Sequence, residues 1–283
     1  MLSVMHLFRY RQDRLPVLLF SLLFAADIAV FLAVDHPALL FTWTLLGIWP
    51  KGWICSFNHH HQHLPTFRQP VLNRLLEVVF SLHTGMTSHS WLLHHVLGHH
   101  ANYLDQAKDE SRWQGQDGRP MGIARYTLEV TLTSYTRAWQ VSRKYRHHRP
   151  VFVGMLLLVA VILLAAFAWK PWAALFVLVL PMIISLSITS WATYTHHAGR
   201  DVGDHFVAST NIMNRAYNVL TGNLGYHTAH HYRGGVHWSQ LPALHEEIKH
   251  HIPPDAYLQP GPPFSWGQPL DIAPCGGDAL PAE

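Results

Sequence analysis

Three groups of histidines carry the chemistry that this chain could do. They are His59-His60-His61-Gln62-His63, His94-His95-Val96-Leu97-Gly98-His99-His100 and His227-Thr228-Ala229-His230-His231. On a helix, side chains at i, i+3 and i+4 fall on one face, within reach of a single ion. His59 and His63, His95 and His99, and His227, His230 and His231 have that spacing, and His100 adds a third side chain to its group. Neutral imidazole is the commonest metal ligand, and imidazoles packed this densely have few other uses. His6, His36, His83, His89, His205 and His250 are isolated and read as ordinary surface or core residues.

The choice of metal is narrowed by what surrounds the histidines. Cys55 and Cys275 are the only two cysteines and lie too far apart in sequence for a CxxC site, so thiolate-bound zinc or iron–sulfur chemistry is disfavoured. A structural zinc takes four ligands, and about twice that number is present here. The HExxH hydrolase pattern is absent; His245-Glu246-Glu247-Ile248-Lys249-His250 comes nearest, with the wrong spacing. Imidazole also suits iron and copper. Eight or nine histidines converging from three segments suggest two ions, each with open positions. Soluble di-iron bundles differ, since there glutamates bridge the metals.

The elements that must bring these groups together are apolar. Hydrophobic residues make up 49% of the 283 and charged residues 13%, against about 25% charged in a soluble domain. Residues 15–34, 38–57, 151–169 and 172–194 each approach the length of about 20 residues that crosses a hydrocarbon core. The first contains Asp27, which we expect to hydrogen-bond a neighbouring helix. A cleavable signal peptide is the rival reading of this segment, disfavoured because the apolar run resumes after Asp27. Asp35-His36-Pro37 and Lys170-Pro171 make two hairpin turns, and Pro50-Lys51 suggests a kink near a membrane surface. Three Lys/Arg precede the first span, eleven lie between the second and third, and four follow the fourth. The positive-inside rule then puts both termini and the long middle segment in the cytoplasm, with all three histidine groups on one face. The expected fold is an all-α membrane protein: four transmembrane helices in two hairpins, with a cytoplasmic helical cap carrying the histidines. Residues 1–252 form this domain, and 253–283, rich in Pro and Gly, read as an irregular, mobile tail. The pI near 8.9 reflects topology rather than nucleic-acid binding. A membrane metal transporter would place its histidines within the spans; here they follow the spans or lie between them.

The three groups, their order and the paired hydrophobic hairpins resemble the integral-membrane fatty acid desaturase and hydroxylase family. Its boxes look like HxxxH, then HxxHH or HxxxHH, then HxxHH. His59-x-x-x-His63 resembles the first, followed by Phe67; His95-x-x-x-His99-His100 resembles the second, followed by Asn102; His227-x-x-His230-His231 resembles the third, preceded by Asn223 and followed by His237-Trp-Ser-Gln-Leu-Pro242. The likeness runs from about residue 15 to 245. Relatives carry one more ligand after the fourth span, in a pattern like Asn-Tyr-x-Gln-His. Here the stretch reads Thr193-Tyr-Thr-His196-His197, so His197 matches that ligand while Thr193 and His196 replace the Asn and Gln.

The resemblance implies two iron ions held by His59, His63, His95, His99, His100, His197, His227, His230 and His231. Behind them, Thr193, His196, Asn102 and Asn223 are candidates for outer support. It also implies O2 as co-substrate and a fatty acyl substrate, whether free acid, thioester or lipid. Electrons would come from a separate ferredoxin-like or cytochrome-like protein, which the basic middle segment would suit if that partner is acidic. Acid–base chemistry cannot attack an unactivated alkyl C–H bond, so an oxidant made from the metals and O2 must do it. Desaturation is the expected outcome; hydroxylation, or decarboxylation to a terminal alkene, uses the same boxes. Trp43, Trp49, Trp53 and Trp191 are candidate walls of an acyl slot, or equally interface aromatics. Arg143, Lys144 and Arg146 could hold a head group, though a topological charge is the simpler role for them.

Overall fold

The computed structural model describes residues 7–258, so His6, Cys275 and most of the expected tail lie outside the described residues. The chain forms two compact units, one running through Ala198 and one starting at Gly199. Among the described residues the elements are helical, with only isolated β-bridges between extended segments.

In the first unit the main helices are α1 (Arg14–Ala33), α2 (Pro37–His63), α3 (Pro70–Thr84), a π-helix (Leu92–His100), α4 (Ile123–Ser142) and α5 (Arg149–Trp169). A further long helix, α6 (Pro171–His197), contains a π-helical turn at Ala174–Val179. Proline opens α2, α3 and α6, where its fixed φ and missing N–H cost nothing. Gly85 ends α3 in the left-handed region at φ 70° and lies so close to α6 that an added Cβ would stand 2.5 Å from the Met182 carbonyl oxygen.

Among the described residues, three helices are long and apolar enough to cross a membrane: Arg11–Ala33, Arg146–Trp169 and Pro171–His197. They leave Leu15, Leu18, Leu22, Leu157, Val161 and Leu164 exposed, as a bilayer allows and water does not. α2, which contains the expected span 38–57, is 27 residues long but is not among the three. Its apolar residues are diluted by Thr, Trp, Gly, Pro50 and Lys51. The two hairpin turns lie together: Lys170 Nζ donates to the Leu32 carbonyl at 2.9 Å and reaches Asp35 Oδ1 at 2.7 Å, with Trp169 edge-on to Phe31. The histidine-bearing ends of α2 and α6 are therefore their ends away from the turns.

The Lys51 side chain turns into the helix bundle. It is 1% exposed, and its ammonium sits 2.8 Å from Asp27 Oδ2 while donating to the Val177 carbonyl at 3.2 Å. Asp27 Oδ1 accepts from Trp43 Nε1 at 2.8 Å, and His83 Nδ1 lies 3.4 Å from Oδ2. The Val177 carbonyl belongs to the π-helical turn of α6, as does the Phe176 carbonyl that accepts from Thr44 Oγ1. Asp27 thus hydrogen-bonds its neighbours as expected, but in a buried ionic cluster joining α1, α2, α3 and α6. His83, expected to be isolated, is part of it. Where water cannot solvate a charge, pairing is the only state in which it can be kept.

The second unit holds α7 (Arg215–Thr221), α8 (His227–Tyr232) and α9 (Leu241–Ile248). Met213, Tyr226, Ala229, Leu241, Leu244, Ile248 and Ile252 form its core. The first residues of the expected irregular tail are ordered here. Pro254–Ala256 make a 3-10 turn, and Asn211 N–H donates to the Ala256 carbonyl at 2.7 Å while Leu258 N–H donates to that of Asn211 at 2.8 Å.

Candidate metal centre

One group of ligands is built by α2 and the π-helix. The end of α2 keeps α-helical geometry, so His59 and His63 lie one turn apart with ring centres 5.0 Å apart. The second histidine group does not keep it. A π-helix bonds i to i+5, so its wider turn carries residues five apart to neighbouring places on successive turns. His95 and His100 accordingly face the same way, with ring centres 4.6 Å apart. One ring nitrogen from each of His59, His63, His95 and His100 lies within 4.8 Å of the others. His59 Nε2 and His95 Nε2 are 2.9 Å apart. Ligands at right angles on an ion with metal–nitrogen distances of about 2.0–2.1 Å would stand about 3 Å apart, so this spacing suits neighbours in one shell.

His99 leaves that group and turns to α6. Its Nε2 is 3.2 Å from Nε2 of His197, the last residue of that helix. Behind it, His99 Nδ1 donates to Asp109 Oδ1 at 2.8 Å, since a carboxylate can only accept. Asp109 is itself held by the Ser111 N–H at 2.7 Å, and the Ser111 carbonyl accepts from Tyr126 Oη at 3.0 Å. In the neutral ring this selects one tautomer of His99, with hydrogen on Nδ1 and the Nε2 lone pair aimed toward His197. His99 and Asp109 are 0% and 1% exposed.

Neighbouring histidines are turned to other work. His61 Nδ1 meets Thr66 Oγ1 at 2.9 Å and its Nε2 meets Glu77 Oε1 at 3.3 Å, while Arg74 holds the other oxygen of Glu77. His60 stacks on His59, which also stacks on Trp91. Burial pushes His63 and His94 down to about 3, with added repulsion from His60 and His99 on the first and from Arg137 and His99 on the second. Both rings therefore stay neutral and keep a lone pair, which is the form a metal binds.

The third group lies in the second unit. His227, His230 and His231 are buried on α8, and the rings of His227 and His231 are 4.7 Å apart. The preceding turn is shaped by Asn223 at φ 61° and by Gly225, where an added Cβ would stand 2.2 Å from the Ile212 carbonyl oxygen. Between the histidines, Thr228 is gripped twice by Asn211: its N–H donates to Oδ1 at 3.0 Å, and its Oγ1 accepts from Nδ2 at 2.8 Å.

Of the candidate outer residues, Asn102 Nδ2 donates to the Gly98 carbonyl at 2.8 Å and Thr193 Oγ1 to that of Thr189 at 3.0 Å. Asn223 Nδ2 donates to the Trp238 carbonyl at 3.1 Å, and His196 is buried beside His197. Of the four tryptophans, Trp43 serves Asp27, while Trp49 and Trp191 are about half exposed, as interface aromatics would be. Sequence reasoning missed Asp109, Asn211 and Trp91. Asp109 and Asn211 stand at no ligand-like spacing from a histidine, and Trp91, four residues before His95, is not a ligand type, so no local signal marked them.

The donors fit a metal. They are buried or half-buried imidazoles, convergent at ligand distances, and one of them is backed by a carboxylate. The fatty acid desaturase family model matches residues 35–261, which takes in all three histidine groups. No curated protein and no solved structure matches the chain.

Proposed function

We propose a reaction for a chain that belongs to the fatty acid desaturase family over residues 35–261: O2-dependent desaturation of a fatty acyl chain by a membrane-bound, non-haem di-iron enzyme. Family membership makes the protein an oxidoreductase; the further detail is our reading. The observation that carries it is the convergence of His59, His63, His95 and His100 in one group and of His99 with His197 in another. The first four would hold one iron and the latter pair the other; His227, His230 and His231 are proposed as ligands from the sequence alone. When bound, two irons would supply the oxidising power to remove two hydrogens from adjacent carbons, O2 being reduced to water with two further electrons and two protons from outside.

The chain's own residues would do the rest. Burial of the imidazoles keeps bulk water away from a reactive centre. Asp109 fixes His99, and Asn211 fixes α8 through Thr228, so the donors need not reorganise when an ion arrives. We take residues 1–252 as the working domain, with α2 as a fourth span beside the three apolar helices. Both termini and the histidine groups would then face the cytoplasm on a helical cap. The meeting of the two hairpin turns at Lys170 supports that arrangement. An acyl chain, carried as free acid, thioester or lipid, would reach the centre from the bilayer. A separate ferredoxin-like or cytochrome-like protein would bring the electrons.

Mass spectrometry of lipids and volatile hydrocarbons from cells with and without the chain tests the reaction, and elemental analysis of the purified protein tests the cofactor. A new unsaturated acyl species and two irons per chain, both lost in His95→Ala, are expected. A hydroxylated acid or a terminal alkene instead would keep the centre and overturn desaturation. A protein without bound iron would overturn the reading altogether.

A further inference from the structure

α4 carries an exposed stripe unlike the rest of the cap. Arg125, Leu128, Leu132, Thr136, Trp139 and Arg143 follow one another at three- and four-residue steps, and all are exposed. Leu128 is 61%, Leu132 71% and Trp139 42% exposed. The opposite face, with Tyr126, Val130, Ser134 and Ala138, is buried. A helix with one face in the protein and an apolar centre flanked by arginines on the other suits the plane of a bilayer surface.

The end of α4 is tied to that surface. Trp139 lies under the Arg149 guanidinium, 5.0 Å from its ring centre, and 6.5 Å from the Phe152 ring. Arg149 and Phe152 belong to the first turn of α5, and Arg149 Nε also donates to the carbonyl and hydroxyl of Ser142, each at 3.1 Å. Since α5 is apolar enough to span, its first turn marks the level of the head groups. Arg143, Lys144 and Arg146 stand there, exposed. Among the described residues none of the three has an ion-pair partner, and the sequence has no Asp or Glu between Glu129 and Asp201. The oxygens of Glu129 itself are turned to Arg137 at 2.9 Å and Arg125 at 4.0 Å.

We propose that Arg143, Lys144 and Arg146, at the end of the apolar stripe of α4, form a binding site for the phosphate of an anionic phospholipid. Three unneutralised cations at head-group level call for an anion, and the adjoining apolar stripe calls for acyl chains; a phospholipid brings both. The site is independent of the metal centre, so its failure leaves the proposed reaction standing. Each cation near a membrane surface contributes about fivefold to the association of an anionic lipid.

The test uses the full chain in a zwitterionic detergent. Spin-labelled phosphatidylglycerol and phosphatidylcholine are compared by the fraction each protein immobilises. At an ionic strength of about 0.01 M we expect phosphatidylglycerol to be preferred by about fivefold or more, and the preference to shrink toward unity near 1 M salt. The triple variant Arg143→Gln/Lys144→Gln/Arg146→Gln should lose it. Lys108→Gln/Arg112→Gln/Arg119→Gln, which removes the same charge elsewhere, should keep it. Equal immobilisation of both lipids by the unaltered protein overturns the proposal, as does a preference that survives the first triple variant. It is also overturned if that variant keeps the lipid preference but loses turnover with a protein electron donor, since the patch would then serve that partner.

Discussion

Asp109 does for His99 what no spacing of histidines can do: it decides which ring nitrogen carries the hydrogen. Removing such an outer partner typically costs 10–100-fold in metal affinity. Asp109→Ala should therefore weaken iron retention by about that factor, read as the chelator concentration that strips the protein, with the helical content unchanged. Retention equal to that of the unaltered protein would leave the contact without a role. His196 and His197 differ by a single step on α6, and the second has its Nε2 3.2 Å from that of His99. His197→Gln should lose iron, whereas His196→Gln, which restores the residue found in relatives, should retain it; the reverse result would shift the alignment by one residue. His83 is no neutral control for such experiments, because it is buried against Asp27. His250, which is exposed, serves instead.

Among the described residues two π-helical segments depart from α geometry, and both departures place polar groups. The π-helix Leu92–His100 accommodates one residue more than an α-helix would, so His95 and His100 meet across five positions. Deleting Leu97 leaves His95-x-x-His-His, in which the outer pair is four apart and an α-helical turn brings it together. That variant should keep its iron. A loss as complete as that of His95→Ala would mean the wide turn itself is required. The π-helical turn Ala174–Val179 of α6 offers its Phe176 and Val177 carbonyls to Thr44 and Lys51. Lys51 in turn balances Asp27 inside the bundle. Leaving one buried charge unpaired costs about 3–5 kcal/mol, whereas replacing both by apolar groups is often neutral. Lys51→Met should lower the thermal midpoint in detergent, and Asp27→Leu/Lys51→Met should recover most of the loss. A double variant no better than the single one would give the pair a role beyond charge balance.

For the whole molecule, the cytoplasmic placement we propose for the histidine-bearing ends of α2 and α6 is supported by two independent features: the cation count along the chain, and the contact of both hairpin turns through Lys170. Reporter fusions after Arg14, near Gly115 and after Asp255 should all report cytoplasm; an opposite signal near Gly115 would break the four-span arrangement. The sequence by itself determined the family, the helical class, three of the four expected apolar spans and the identity of the candidate ligands. Those properties rest on local composition and on histidine spacing, which survive without knowledge of the fold. Only the tertiary structure decided how the second histidine group divides, with His95 and His100 turned one way and His99 toward His197. The α-helical spacing that pairs His95 with His99 gives the wrong partners, because a π-turn cannot be read from residue types. The fold likewise selected Asp109 from several nearby acids and Asn211 from several asparagines, and it drew Lys51 from an expected surface into the bundle. Each of these depends on where a distant segment lies. Hydrogen bonds and ion pairs act across a few ångströms, whatever the distance along the chain.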